Sequence, residues 1–174
     1  MARTGRTLLA TLCAVIALAA CNEASTPPRT GTGEPDALVG AWRSQVRASS
    51  GVLMEMKDLE FMYVFNGGGT MTESSNYDGA PPVPPAYGVW RKTAPRNFEA
   101  RYTFYVTKPP GAFEEVTKGG GWTPNGYGVL TEKIAVADDG KSYASTLVYS
   151  LFDNAGKPAE GGGEATGAGT RMGF

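Results

Sequence analysis

The sequence lacks histidine entirely, since none occurs among its 174 residues. Histidine is the most frequent general base in enzymes and a frequent ligand of transition metals, so its absence excludes Ser-His-Asp and Cys-His catalysis. Carboxylates, lysine and tyrosine remain available for acid–base chemistry, but no motif arranges them as a catalytic site. We therefore expect a protein that is not an enzyme, with no catalytic residue, no metal ligand and no cofactor.

The sequence also has little excess charge of either sign. It contains 16 Lys and Arg residues against 17 Asp and Glu, which gives a formal net charge of −1. Proteins that bind nucleic acids use clustered basic side chains to neutralise phosphates, and no such cluster is present. Nucleic acid is therefore excluded as an expected partner.

Cysteine is scarce, and both copies lie near the N-terminus, as Cys13 and Cys21. Residues 1–20 combine two arginines with an apolar stretch too short to span a bilayer of ~30 Å, which predicts an export signal peptide. The stretch Leu18-Ala19-Ala20-Cys21 resembles the lipobox of bacterial lipoproteins. That resemblance implies cleavage before Cys21, a diacylglyceryl group on its sulfur and an acyl chain such as palmitate on its amine. An ordinary signal peptide with an incidental cysteine is the alternative.

A lipid on Cys21 predicts a location and a membrane partner. Two or more acyl chains anchor a protein stably, so we expect a lipoprotein of the bacterial cell envelope. In enteric bacteria Asp after the lipidated cysteine favours inner-membrane retention, and Asn22 stands there instead. The outer membrane, facing the periplasm, is therefore favoured over the inner membrane. Residues 21–36 are rich in Pro, Gly, Ser and Thr without apolar periodicity, which predicts a disordered tether.

From residue 37 to residue 174, apolar residues recur with the period of two that is typical of strands. The 24 glycines and 12 prolines of the chain interrupt these runs at short intervals and predict turns. Eight strands are predicted, over residues 39–47, 59–66, 70–76, 87–92, 98–107, 126–137, 142–152 and 159–172. Their short links predict an all-β domain built as an antiparallel, eight-stranded up-and-down β-barrel. A β-sandwich is the alternative, because periodicity does not separate the two folds.

Gly40-Ala41-Trp42 opens the first predicted strand, and Gly169-Thr170-Arg171 lies in the last. These short motifs at the two ends of the domain resemble those of the lipocalin and calycin group. Residues 65–70 and 88–90 add motifs similar to those of small secreted bacterial proteins of lipocalin-like type. The resemblance implies that Trp42 and Arg171 form a barrel-closing structural pair, through a cation–π contact worth ~0.5–2 kcal/mol. The long first loop and the C-terminal helix that are usual in lipocalins are not evident here.

Aromatic residues on the predicted inward faces are candidates for lining a ligand site. A tyrosine hydroxyl needs a partner when it is buried, so several inward tyrosines predict a cavity with polar points in an apolar wall. The alternative is that these side chains simply fill the core. The ligand-lining candidates are Phe61, Tyr63, Phe65, Tyr102, Phe104, Tyr143 and Tyr149.

Two further features stand outside this aromatic pattern. Glu132 falls within a predicted strand, and if it faces inward it is a buried carboxylate and the one acidic residue to test for function. Residues 108–125 form the longest predicted irregular stretch and are a candidate lid or contact surface.

These observations favour a lipid-anchored, lipocalin-like envelope protein that binds a small apolar or amphipathic ligand or acts as a passive envelope component. A module that binds an envelope protein, for example as a protease inhibitor through residues 108–125, is the second hypothesis. An enzyme resembling the barrel cyclases, which guide a reactive substrate mainly by shape, is the third and least favoured.

Overall fold

The computed structural model describes residues 36–77, 84–118 and 120–174. The predicted signal peptide, Cys21 and nearly all of the predicted tether lie outside the described residues. Within the three described ranges, no helix combines the length and the apolarity needed to cross a bilayer.

Eight antiparallel strands form a single sheet that closes on itself. Each strand pairs with the next along the chain, and β1 also pairs with β8. A short 3₁₀ turn, Val52–Glu55, follows β1, and one helical turn, α1, lies between β5 and β6. The elements are β1 Gly40–Ala48, β2 Glu60–Phe65, β3 Thr70–Ser75, β4 Ala86–Ala94, β5 Asn97–Lys108, α1 Phe113–Thr117, β6 Thr123–Val136, β7 Ser142–Phe152 and β8 Pro158–Arg171.

This architecture confirms the predicted all-β, eight-stranded up-and-down barrel, and it is consistent with a lipocalin-like fold. The β-sandwich alternative is wrong, because the ladder between β1 and β8 leaves no open edge. Trp42 is the register partner of Arg171 in that ladder. No helix follows β8 within the described residues.

The predicted loop over residues 108–125 is too long. β5 continues to Lys108 and β6 begins at Thr123, and these two residues are register partners. A β-bulge between Tyr105 and Thr107 lets the ladder continue past the point where glycine and proline suggested a turn. The irregular segment is therefore confined to the residues between these strands, and it contains α1.

The two ends of the barrel differ in their connections. Gly40 at the start of β1 pairs with Phe65 at the end of β2, so the tight β2–β3, β4–β5 and β6–β7 hairpins share one end with Trp42 and Arg171. We call this the closed end. The longer β1–β2, β3–β4 and β5–β6 connections share the opposite end with the β7–β8 turn, and we call it the open end.

Cross-strand partners of unequal size fill the interior. Phe104 on β5 pairs with Gly128 on β6, and a Cβ atom on Gly128 would lie 2.3 Å from the Phe104 ring. Tyr143 on β7 pairs with Gly169 on β8, where an added Cβ would lie 2.2 Å from the tyrosine ring. These two glycines admit large rings to a narrow barrel.

Candidate functional site

The closed end is built around a fully buried indole. Trp42 has no exposed surface, and its Nε1 donates a hydrogen bond of 2.8 Å to the carbonyl oxygen of Leu38. The Cζ atom of Arg171 lies 4.2 Å from the centroid of the Trp42 ring system. Tyr143 packs on the indole at a ring-centroid distance of 5.1 Å. The Trp42–Arg171 pair therefore covers the end of the core where β1 meets β8.

The Arg171 guanidinium also ties the segment before β1 to the β6–β7 hairpin. Its Nε donates to the carbonyl oxygen of Gly140 at 2.7 Å, and Nη1 donates to that of Val39 at 2.7 Å. Its Nη2 donates to the carbonyl oxygen of Ala37. Partial burial lowers the pKa of Arg171, because desolvation disfavours the charged form. This network closes the barrel and leaves the opposite end as the route to the interior.

A pocket of about 260 Å³ opens at the other end of the barrel. Its wall is mainly apolar and comes from β2, β3, β5, β6 and β7, together with the 3₁₀ turn. The lining residues are Val52, Leu53, Leu59, Phe61, Ser75, Tyr77, Pro84, Phe104, Tyr105, Val106, Thr107, Leu130, Tyr149 and Leu151.

Tyr149 fastens the β1–β2 connection over one side of this pocket. Its hydroxyl donates to the carbonyl oxygen of Ser50 at 2.7 Å and accepts a hydrogen bond from the Leu53 backbone N–H at 3.2 Å. The polar tip of this side chain is therefore used by the protein, and its ring faces the pocket.

The seven predicted ligand-lining residues divide into two groups. Phe61, Phe104 and Tyr149 line the open-end pocket. The other four lie deeper, fully or almost fully buried, and are not among its lining residues. These are Tyr63, Phe65, Tyr102 and Tyr143. Both groups lie in the interior because they occupy the inward positions of their strands, but only the first group lines the pocket.

Two of the deeper tyrosines connect to a buried carboxyl group. The Tyr102 hydroxyl donates to Oε2 of Glu132 at 3.0 Å, and the Tyr63 hydroxyl lies 3.1 Å from that of Tyr102. Because Tyr102 has a single proton, Tyr63 supplies the donor in the second bond. Glu132 is completely buried and faces inward. With this orientation it is the acidic residue that the sequence predicts as the one to test for function. Burial raises the pKa of Glu132, partly offset by the hydroxyl groups of Ser145, Tyr102 and Tyr63.

Glu73 is a second buried carboxyl group, and it was not predicted from the sequence. It lies on β3 as the register partner of Tyr63, and only 7% of its surface is exposed. Burial, together with repulsion from Glu132, raises the pKa of Glu73 to about 8. Alternation along β3 predicts that Glu73 faces inward, because it lies two residues after the inward Met71. The strand was not recognised as having an inward face, because most of its residues are polar.

A scan against known protein families and a search of curated proteins found no match to this chain. Within the described ranges, no three or more acidic or cysteine side chains are grouped so that they could hold a metal ion.

Proposed function

We propose that this protein binds a small apolar or amphipathic molecule in the open-end pocket and carries no catalytic activity. The observation that carries the proposal is an apolar pocket at one end of a barrel whose other end is sealed by Trp42 and Arg171. Ligand sites are typically concave and mostly apolar with a few polar groups, and this pocket has that character.

The size of the pocket limits the ligand. Its volume of about 260 Å³ lies just below the ~300–1,000 Å³ of pockets that enclose drug-sized molecules. A ligand with a single ring system or one short alkyl chain suits this volume, with the remainder projecting through the open end.

Filling the pocket tests this proposal. Full-length protein carrying Cys21→Ser, made in the cytoplasm so that no lipid is attached, is titrated with the neutral fluorescent probe N-phenyl-1-naphthylamine. Ser75→Phe places a ring in the pocket, whereas Ser74→Phe places the same ring on the outer face of β3. We expect Ser75→Phe to weaken probe binding by about tenfold or more and Ser74→Phe to leave it unchanged. The proposal is contradicted if Ser75→Phe and Ser74→Phe bind the probe equally well. It is also contradicted if neither the Cys21→Ser parent nor the Ser74→Phe control binds the probe.

We further propose that the barrel is anchored to the envelope membrane through a lipid on Cys21, with the outer membrane as its site. The support is the lipobox-like Leu18-Ala19-Ala20-Cys21 after an apolar leader. Cells fed a labelled fatty acid should incorporate label into the wild-type chain and into Cys13→Ser, but not into Cys21→Ser. Separation of inner and outer membranes then locates the labelled protein. Label retained by Cys21→Ser rules out this anchor.

A second candidate function is binding to another envelope protein through α1. Phe113 and Val116 are exposed by 78% and 42% of their surface, and both lie on this helical turn at the open end. Chemical crosslinking in the host should yield adducts that disappear when both residues are changed to serine. The matched control changes the neighbouring Glu114 to serine. Adducts that persist in the double variant contradict this function.

A further inference from the structure

Polar side chains lie directly beneath the open-end pocket. Along each strand, residues two positions apart share a face and are separated by ~7 Å. Ser75 lines the pocket and Glu73 lies one such step further in on β3, while Leu130 and Glu132 have the same relation on β6. Phe61 and Phe104 likewise lie above Tyr63 and Tyr102. The floor below the apolar wall is therefore a layer of two carboxyl groups and two phenol groups.

This layer has unused hydrogen-bonding capacity. Among the described residues, Oε1 of Glu73 and Oε1 of Glu132 are buried without a hydrogen-bond partner. Both side chains are more than nine-tenths buried, with 7% and 0% of their surface exposed. A buried polar atom without a partner is costly to the folded state, and native proteins satisfy most such atoms. Each of the two oxygens can therefore accept a hydrogen bond from a donor that enters through the pocket.

The charges within the layer select the kind of donor. The buried charged side chains of the described residues are Glu73 and Glu132, with no buried lysine or arginine to accompany them. A carboxylate or phosphate head group would face two carboxyl groups here without a cationic partner. A primary ammonium group carries a positive charge and three N–H donors, with no acceptor to leave unsatisfied.

We infer that the ligand of this pocket is an amphipathic primary amine, with its alkyl chain or ring along the apolar wall and its ammonium group between Glu73 and Glu132. This inference rests on the proposed function, because it concerns the same pocket. The ammonium group donates to the two free Oε1 atoms, and the Tyr63–Tyr102 pair holds the other oxygen of Glu132 in place. A buried cation is stable only when it is paired in this way.

Three ligands of equal chain length test the inference: n-octylamine, 1-octanol and octanoate, each titrated calorimetrically into full-length Cys21→Ser protein at pH 7. We expect octylamine to bind about tenfold or more tightly than octanol, and octanoate to bind most weakly, because charge-assisted hydrogen bonds are the stronger kind. Glu73→Gln and Glu132→Gln should each remove most of the advantage of the amine. Glu160→Gln, on the exposed part of β8, is the matched control and should keep that advantage in full. The circular dichroism spectrum of each variant reports that it is folded.

Proton release provides a second readout. Glu132, Tyr63 and Tyr102 are the titratable groups that act on Glu73, and burial together with Glu132 raises the pKa of Glu73 to about 8. An arriving ammonium group favours the ionised carboxylate, so octylamine binding at pH 7 should release protons. Calorimetry in two buffers of different ionisation enthalpy measures this release, and Glu73→Gln should reduce it.

The outcomes separate this inference from the proposed function. If none of the three ligands binds, the proposed function itself fails. If octanol binds as tightly as octylamine, or octanoate binds best, the pocket stands and the amine inference is overturned. Amine selectivity that survives both Glu→Gln substitutions also overturns it, because the carboxyl groups are then not the recognition element.

Discussion

Arg171 shows how much of the fold can depend on one side chain. Its planar guanidinium lies on the Trp42 ring while its N–H groups reach the carbonyl oxygens of Ala37, Val39 and Gly140. Several donors in a rigid fork and a flat face for stacking are properties that lysine lacks. The residue therefore joins the segment before β1, the β6–β7 hairpin and the end of β8.

Arg171→Lys should lower the free energy of unfolding by ~1–3 kcal/mol, because a lysine ammonium cannot satisfy three separated carbonyl groups and also stack on the indole. Chemical denaturation followed by tryptophan fluorescence measures the change. Arg101→Lys, an exposed position on β5, is the matched control and should be close to neutral. Equal stability of the two variants would show that the Arg171 guanidinium contributes nothing to the free energy of unfolding beyond what lysine provides.

At the scale of elements, the β1–β2 connection is held to β7 by a single phenol group. Tyr149 bonds to Ser50 and Leu53, while Gly51, with φ of 80°, approaches so closely that an added Cβ would lie 2.2 Å from the tyrosine oxygen. A left-handed backbone and this close approach both require glycine at this position. The 3₁₀ turn at the pocket wall is thus positioned by the contact with β7 as well as by the glycine that precedes it.

Tyr149→Phe should release the 3₁₀ turn while leaving the barrel closed. Loss of two hydrogen bonds by one buried hydroxyl should destabilise the fold by ~1–2 kcal/mol. The amide of Leu53 should also exchange with deuterium faster than in the parent protein. Tyr105→Phe, whose hydroxyl lies on a residue that is 73% exposed, is the control. Unchanged exchange at Leu53 would mean that the turn is held by other contacts.

At the scale of the whole molecule, two carboxyl groups inside the barrel make stability depend on pH. The pKa of Glu73 is raised from 4.5 to about 8 by burial and by Glu132, and burial also raises the pKa of Glu132. Below about pH 4.5 both states of the protein hold these protons. As pH rises toward 8 the unfolded chain loses its protons first, so the folded state loses stability across this window.

The free energy of unfolding should therefore fall between pH 5 and pH 8, by an amount on the order of a few kcal/mol for Glu73 alone. Denaturation at a series of pH values measures the slope. Glu73→Gln should flatten the curve, since the amide does not ionise, while Glu160→Gln on the exposed part of β8 should leave it as in the parent. A curve that keeps its slope in Glu73→Gln would assign the pH dependence to other groups.

Much of the fold could be predicted because strand alternation is a local property. The run from Leu59 to Phe65 and the run from Phe98 to Phe104 show inward and outward positions in the sequence itself, and the structure keeps that assignment. The candidate site was harder to predict from the sequence. Alternation places Phe61 and Tyr63 on the same face, but it does not indicate that Phe61 lines the pocket whereas Tyr63 hydrogen-bonds to Tyr102 beside a buried carboxyl group. Depth along a barrel depends on strand tilt and stagger, which no single strand encodes.

The sequence by itself determined the class of the domain, the number of its strands, and the inward face of most of them, because these follow from side-chain period and turn residues. Only the tertiary structure decided that the sheet closes between β1 and β8, which end is sealed, and that Glu73 and Glu132 share one interior. The reason is that closure and proximity arise between residues far apart in the chain. They become defined only when the register of all eight strands is set together.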